Sequence, residues 1–277
     1  MKKPKTILYI AVILIFATAA FLGFLLYRHE KAQNDDLRAL QSSQSAALAA
    51  AEELSSRLTR LELKSDYAEA SYKYFPLGNS ITVHAPNEVW WNEVGMAASD
   101  ADHDYVHLVA AYLSASHGKI ACHPYYFYVW ETAEDRTSKL SLLDPYLDPG
   151  LDLVTIQLGE NAEDLSSFER DFEGLIRYVQ VKSPGARILV IDDFWPNGER
   201  SQMKQNAAEE TGAEFVSLKD IQGSADAEAG AGTIVYDPSG NPHTVENADV
   251  AAHPGDIGMQ AIADRIIEAL QADEANR

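Results

Sequence analysis

The chain has 277 residues, a formal net charge of −20 and a single cysteine, Cys122. Nucleic-acid binding requires Lys and Arg facing phosphates, so this acidity argues against a nucleic-acid partner and disfavours acidic polymers as substrates. One cysteine also excludes an intrachain disulfide.

Residues 1–28 have the composition of a membrane anchor. Three lysines precede an uncharged, mainly apolar run over residues 7–27, and about 20 apolar residues in a helix can cross a ~30 Å hydrocarbon core. An Ala-Thr-Ala sequence at residues 17–19 resembles a signal-peptide cleavage site, but the apolar run continues beyond it, which favours an uncleaved anchor. The lysines predict a cytoplasmic N-terminus and an extracytoplasmic location for the rest of the chain.

Residues 29–69 are predicted to form a helical stalk. No Gly or Pro occurs between residues 30 and 66, and apolar residues fill seven of the eight core positions of four heptads. These positions are Leu37, Leu40, Gln44, Ala47, Ala51, Leu54, Leu58 and Leu61. The spacing is that of a coiled coil, so two interpretations stay open, a self-associating stalk and a single helix that acts as a spacer.

Residues 70–277 are predicted to form one α/β domain. Strand-like runs occur at residues 72–77, 124–130, 151–158, 186–192 and 214–218, and helical patterns at 102–116, 165–181, 199–211 and 256–271. This alternation predicts a parallel sheet with helices on both faces, and ligands in such folds bind at the carboxyl ends of the strands. Residues 222–248 read as a long loop that contains a hairpin around residues 237–240.

Three separate turns carry the residue types that acyl transfer requires. Ser80 follows the first predicted strand in Gly78-Asn79-Ser80, Asn161 follows a later strand in a Gly-x-Asn turn, and His253 lies just ahead of the last helix. A hydroxyl, an amide and an imidazole can serve as nucleophile, oxyanion donor and general base.

The ordered blocks resemble those of the SGNH (GDSL-type) hydrolases, over about residues 70–275. The resemblance implies Ser80 as nucleophile and His253 as base, with Gly95, Asn161 and the Ser80 N–H as oxyanion donors. It also implies a three-layer α/β/α sandwich with a mainly parallel, flavodoxin-like sheet, and activity on small-acyl esters.

The sequence departs from the pattern of this family at three positions. Asn79 and Ala162 stand where the family usually has aspartate, and Val250 stands where the aspartate of Asp-x-x-His is expected. Asp249, one position further from His253, is therefore predicted as the acid member. The alternative is a Ser–His dyad whose ring is oriented by a backbone carbonyl.

No metal or cofactor is predicted for this site. His103 and His107 are four residues apart, with Asp102 and Asp104 beside them, and two histidines so spaced can share a zinc ion. No third ligand is evident in the sequence, so the metal-free interpretation is favoured.

Together these features predict a membrane-anchored, extracytoplasmic serine esterase that removes O-acetyl groups from a glycan. Two alternatives stay open. One is an O-acetyltransferase that forms the same acyl-enzyme, and the other is a non-catalytic glycan-binding protein.

Overall fold

The computed structural model of the chain describes the backbone of residues 3–274, while many side chains before residue 53 and those after Ala272 lie outside the description. The chain divides into two compact units, Met1–Leu58 and Thr59–Arg277.

The first element, α1, is a single helix over Lys3–Glu69, as the stalk prediction requires. Ala, Leu, Glu and Gln have high helix propensity and dominate its second half. Leucines of the heptad seam are exposed to solvent: Leu37, Leu40, Leu54, Leu58 and Leu61. None of the described helices is long and apolar enough to cross a membrane. Most side chains of the predicted anchor, residues 1–28, lie outside the description.

The last turns of α1 belong to the second compact unit, which begins at Thr59 and not near residue 70 as predicted. Leu63 and Tyr67 lie one turn apart on the same face of the helix and are 6% and 5% exposed, because both pack into the hydrophobic core of that unit. The Tyr67 hydroxyl donates to the carbonyl oxygen of Tyr146 at 3.4 Å.

A central sheet runs through the second unit. Its strands are β1 Tyr72–Gly78, β2 Ile120–Cys122, β3 Tyr125–Tyr126, β4 Leu153–Gln157, β5 Arg187–Ile191 and β6 Glu214–Val216. The order is β2-β1-β4-β5-β6, with β3 also paired to β1, and every pairing between these strands is parallel. This order is flavodoxin-like, and its switch point lies between β1 and β4.

The prediction of one strand over residues 124–130 is wrong. Pairing with β1 is interrupted at His123 and Pro124 and resumes only at β3. The chain then turns into the short helix α3, Tyr128–Glu131, and Trp130 enters the core. Aromatic residues have high strand propensity, but core packing overrides this weak preference here.

Helices cover both faces of the sheet, which confirms the predicted arrangement of layers. They are α2 Tyr105–His117, α4 Phe168–Lys182, α5 Gly198–Thr211 and α7 Asp256–Glu274. The apolar faces of α2 and α7 contribute to one core cluster, and those of α4 and α5 contribute to the other. A 3₁₀ helix, Thr137–Leu143, precedes β4.

The long loop after β6 contains the predicted hairpin. Strands β7 Ile234–Tyr236 and β8 Pro242–Thr244 pair antiparallel, and Asp237 closes the turn by accepting hydrogen bonds from Ser239 and Asn241. A four-residue helix, α6 Ala248–Ala251, leads from the hairpin towards α7.

Candidate active site

Ser80 lies in a tight turn at the carboxyl end of β1. The N–H groups of Thr82 and Val83 both donate to the Asn79 carbonyl, at 3.0 and 3.1 Å. Gly78 allows this turn, because a Cβ there would lie 1.8 Å from Thr82 Oγ1. The turn leaves Ser80 partly exposed while Asn79 is fully buried, so the hydroxyl is raised to the edge of the sheet.

His253 lies against this hydroxyl. Ser80 Oγ and His253 Nε2 are 2.8 Å apart, although 173 residues separate them in the chain. On the other side of the ring, Nδ1 donates to the backbone carbonyl of Asp249 at 2.7 Å. A proton held on Nδ1 leaves Nε2 free to accept the serine proton, which is the tautomer that a general base requires.

The prediction of the Asp249 carboxylate as the acid member is therefore wrong. The partner of the imidazole is the main-chain oxygen of Asp249, and the Asp249 side chain is exposed. The carbonyl groups in the last turn of a helix lack intrahelical partners. Asp249 lies in α6 just ahead of His253, so its carbonyl is available to the ring, and the structure has the alternative arrangement, the dyad.

Burial sets the ionisation of this base. His253 is 7% exposed, and burial lowers its pKa from the ordinary value of 6.5 to about 4. The Trp195 ring packs edge-on against the imidazole, with ring centroids 5.0 Å apart. The imidazole is thus neutral at neutral pH and ready to accept a proton.

Two of the predicted oxyanion donors are available at the switch point. Asn161 follows β4, and its Nδ2 donates to Glu131 Oε2 at 2.7 Å, which uses one of its two amide hydrogens. Within the described part of the chain the Ser80 N–H has no hydrogen-bond acceptor. Both groups can therefore donate to an oxyanion beside Ser80.

The N–H of Gly95 is not available as the predicted oxyanion donor. Its N–H donates to Asp104 Oδ2 at 3.2 Å, in the buried carboxylate that also caps the N-terminus of α2. A Cβ at this position would lie 2.4 Å from the Ile81 carbonyl oxygen. The glycine therefore serves the close packing of the segment after Ser80, and its N–H is directed at Asp104.

Two carboxylates that no sequence motif marked lie behind the nucleophile turn. Asn79 Nδ2 donates to Glu131 Oε1 at 3.2 Å and to Glu160 Oε2 at 2.8 Å. Burial raises the pKa of both carboxyls, that of Glu160 to about 7, and the neighbouring Asp193 contributes to the latter shift. Glu160 precedes Asn161 in the sequence, but Glu131 lies in the segment whose fold the sequence mispredicted.

The two histidines considered as zinc ligands each pair with a carboxylate. His103 and His107 pair with Asp100 and Asp104, and no group of three metal-ligating side chains occurs among the described residues.

Trp90 is fully buried. Trp91 lies parallel to the His243 ring at a centroid distance of 4.5 Å. Asp193 is buried and paired with Arg200 and Lys204.

A cavity of about 630 Å³ lies beside Asn161. Asn161 and Glu131 form part of its wall, and Tyr128 and the exposed carboxylates of Glu134 and Glu163 line it. The exposed rings of Tyr126 and Tyr128 are nearly parallel, with centroids 5.9 Å apart. The wall of the cavity beside Asn161 therefore presents exposed carboxylates and one exposed tyrosine ring.

Comparison with known proteins relates this fold to esterases. No family model and no curated protein matches the chain. A solved two-domain esterase active on acetylated mannans has a TM-score of 0.50 at 17% identity, over 78% of this chain and 54% of its own length. Also similar is a family two carbohydrate esterase from Clostridium thermocellum, with a TM-score of 0.49 at 15% identity over 74% of this chain and 65% of its own. A GDSL-like lipase from Parabacteroides merdae has a TM-score of 0.47 at 17% identity, over 72% of this chain and 95% of its own. The chain thus spans about half the length of the two-domain esterase and shares the α/β fold of the part it matches.

Proposed function

We propose that this chain is a serine esterase that uses a Ser80–His253 dyad to remove small acyl groups from a glycan. The observation that carries the proposal is the 2.8 Å contact between Ser80 Oγ and the unprotonated Nε2 of His253. Nucleophile and base within hydrogen-bond reach, with the base oriented by a third group, are the arrangement that activates a serine.

The reaction has two halves. Ser80 Oγ attacks the ester carbonyl while His253 Nε2 takes the hydroxyl proton, and the Asn161 amide and the Ser80 N–H donate to the resulting oxyanion. His253 returns the proton to the leaving alcohol, which breaks the ester bond and leaves an acyl-Ser80. Water, deprotonated by the same imidazole, attacks this ester and releases the acid and the free serine.

Two features of the surface near Asn161 support an uncharged glycan as the substrate. Parallel exposed tyrosine rings can pack against sugar rings, and Tyr126 and Tyr128 are such a pair. The carboxylates of Glu134 and Glu163 in the cavity wall would repel a polyanionic chain. The related two-domain esterase is active on acetylated mannans, a class of neutral polymer that this chemistry suits.

The location of the enzyme is part of the proposal. The lysines and the uncharged run at residues 7–27 would anchor it as a single-pass protein with a cytoplasmic N-terminus, and its substrate would be an exported or cell-envelope glycan. Retention in the membrane fraction after alkaline carbonate extraction, compared with a chain that begins at residue 30, tests this part. Release of both proteins into the soluble fraction would exclude the anchor.

Labelling with a fluorophosphonate probe, followed by peptide mapping, tests the function. We expect modification of Ser80 alone, and loss of both labelling and p-nitrophenyl acetate hydrolysis in Ser80→Ala. A folded protein that is not labelled at Ser80 would leave only the non-catalytic binding protein. Transfer of acetyl to a sugar hydroxyl in preference to water would instead identify the acetyltransferase.

A further inference from the structure

We propose that Glu131 is a positioning residue for the oxyanion site, an inference that rests on the proposed esterase function. Its buried carboxylate holds the Asn161 amide, and with it the turn that carries Ser80, in the orientation that acyl transfer requires.

Three donors from two different turns converge on this carboxylate. Oε2 accepts from Asn161 Nδ2 at 2.7 Å, and Oε1 accepts from Asn79 Nδ2 at 3.2 Å and from the Gly159 N–H. Glu131 therefore links the turn after β1, which ends in the nucleophile, to the turn after β4, which carries the oxyanion donor.

The carboxylate is itself rigidly placed. Glu131 is 1% exposed and is the last residue of α3. At the start of this helix the Phe127 N–H donates to the Gly78 carbonyl at 2.7 Å, and at its end the Glu131 carbonyl accepts from the buried Arg136 guanidinium at 3.2 Å. The helix is thus fixed to the end of β1, two residues before Ser80.

An acceptor at this position decides which way the Asn161 amide faces. The two ends of an asparagine side chain have nearly the same shape, and a rotation of 180° exchanges the donor with the acceptor. With Glu131 accepting from Nδ2, the second amide hydrogen remains for the oxyanion. In the rotated form the Asn161 carbonyl oxygen would approach the oxyanion and repel it.

The contribution of Glu131 is therefore orientation and not charge. A carboxylate so close to the reaction centre would by its charge alone oppose a developing oxyanion. The two interpretations predict opposite results when the charge is removed but the shape is kept. A purely electrostatic role predicts that Glu131→Gln is faster than the wild type, whereas a positioning role predicts that it is slower.

The test is the hydrolysis of p-nitrophenyl acetate by Glu131→Gln, with kcat and KM measured separately. The glutamine carbonyl can keep the two donors on the Oε1 side, Asn79 Nδ2 and the Gly159 N–H, which places its NH₂ group against Asn161 Nδ2. Asn161 then loses the acceptor that fixes its orientation. We expect kcat to fall about a hundredfold to a thousandfold, as for the loss of one oxyanion donor, with KM within about twofold of the wild type. Glu209→Gln is the matched control, because it makes the same substitution at an exposed carboxylate of α5 and should leave both constants unchanged.

A double-mutant cycle with Asn161→Ala separates positioning from a general loss of structure. If Glu131 acts through Asn161, Glu131→Gln should lower kcat no more than about twofold further in the Asn161→Ala background. An equal loss in both backgrounds, or an unchanged or raised kcat in Glu131→Gln alone, would overturn the proposal. Circular dichroism checks folding, and Glu131→Asp, whose oxygens fall one methylene short of Asn161, replaces the glutamine variant in the cycle if that variant is unfolded.

The labelling experiment separates failure of this inference from failure of the proposed function. If the fluorophosphonate does not modify Ser80 in the wild type, the esterase itself is excluded. If it modifies Ser80 in the wild type and in Glu131→Gln at the same rate, the esterase stands and Glu131 has no positioning role.

Discussion

At the scale of single residues, the unusual feature is that His253, the proposed general base, has no carboxylate partner. The Asp249 carbonyl accepts from Nδ1 and so fixes the tautomer of His253, but it carries no formal charge to stabilise the imidazolium of the proposed reaction. Enclosure by the protein, including the Trp195 ring, holds the imidazole in place against Ser80.

We expect Asp249→Asn to retain activity within about twofold of the wild type, since the substitution leaves the backbone carbonyl in place. In a triad, the same change would favour the wrong tautomer of the histidine and lower kcat by orders of magnitude. The measurement is kcat on p-nitrophenyl acetate, with His253→Ala as the inactive reference. A loss of a hundredfold or more in Asp249→Asn would mean that the carboxylate takes over the role of the carbonyl during catalysis.

The burial of His253 also predicts the pH dependence. The base must be neutral to accept a proton, and its pKa is lowered from 6.5 to about 4. The value of kcat/KM should therefore stay constant as the pH falls through 6.5 and decline only as it approaches 4. A decline centred near 6.5 would show that the imidazole is solvated in solution. An inflection near 7 that disappears in Glu160→Gln would belong to the Glu160 carboxyl, whose pKa is raised to about 7.

At the scale of secondary structure, the end of α1 has two distinct faces. Leu63 is 6% exposed and packs in the core of the second unit, whereas Leu61 is 65% exposed. One face of these last turns thus packs in the core, and the face that carries Leu61 is exposed to solvent. Its last turns are part of the fold and not a linker.

This asymmetry gives a matched pair of substitutions. Leu63→Ala should lower the free energy of unfolding by about 2–5 kcal/mol, the usual cost of truncating a buried leucine, and Leu61→Ala should change it by less than about 0.5 kcal/mol. Urea denaturation of chains that begin at residue 30 measures both. Equal and small effects would mean that α1 does not pack on the domain in solution. A chain that begins at Ser71 should for the same reason be less stable than one that begins at Thr59.

At the scale of the whole molecule, the exposed leucines of α1 would be covered if two chains associated. Leu37, Leu40, Leu54, Leu58 and Leu61 are each more than half exposed and follow the heptad spacing of a coiled coil. Alanines and Gln44 in the same seam reduce the apolar area that such an interface would bury.

We expect a chain that begins at residue 30 to have a higher average mass in light scattering than one that begins at Thr59. The difference should grow with concentration in the micromolar range, because a short seam with small residues associates weakly. Replacement of Leu37, Leu40 and Leu54 by glutamate in the longer chain should abolish the difference. Identical monomeric masses would indicate that the stalk is a single helix that acts as a spacer.

The sequence by itself determined the parts of this protein that depend on local pattern. Apolar runs separated by amphipathic helices were enough to predict the parallel sheet and its flanking layers. Ser80, Asn161 and His253 were identifiable because each lies in a turn at the boundary of a strongly patterned element. The hairpin around residues 237–240 was likewise predicted from its turn residues.

Only the tertiary structure decided the contacts between segments that are distant in the chain. The partner of His253 Nδ1 is a backbone carbonyl. Every residue has one, so the sequence offered this partner only as an alternative and no side-chain motif could favour it over the Asp249 carboxylate. Gly95 lost its predicted role because its N–H meets the capping carboxylate of Asp104, a contact set by packing. Glu131 lies beside Asn161 because the chain leaves the sheet after β3 and forms α3, with Trp130 packed in the core. This outcome depends on tertiary packing and not on the strand propensity of the aromatic run.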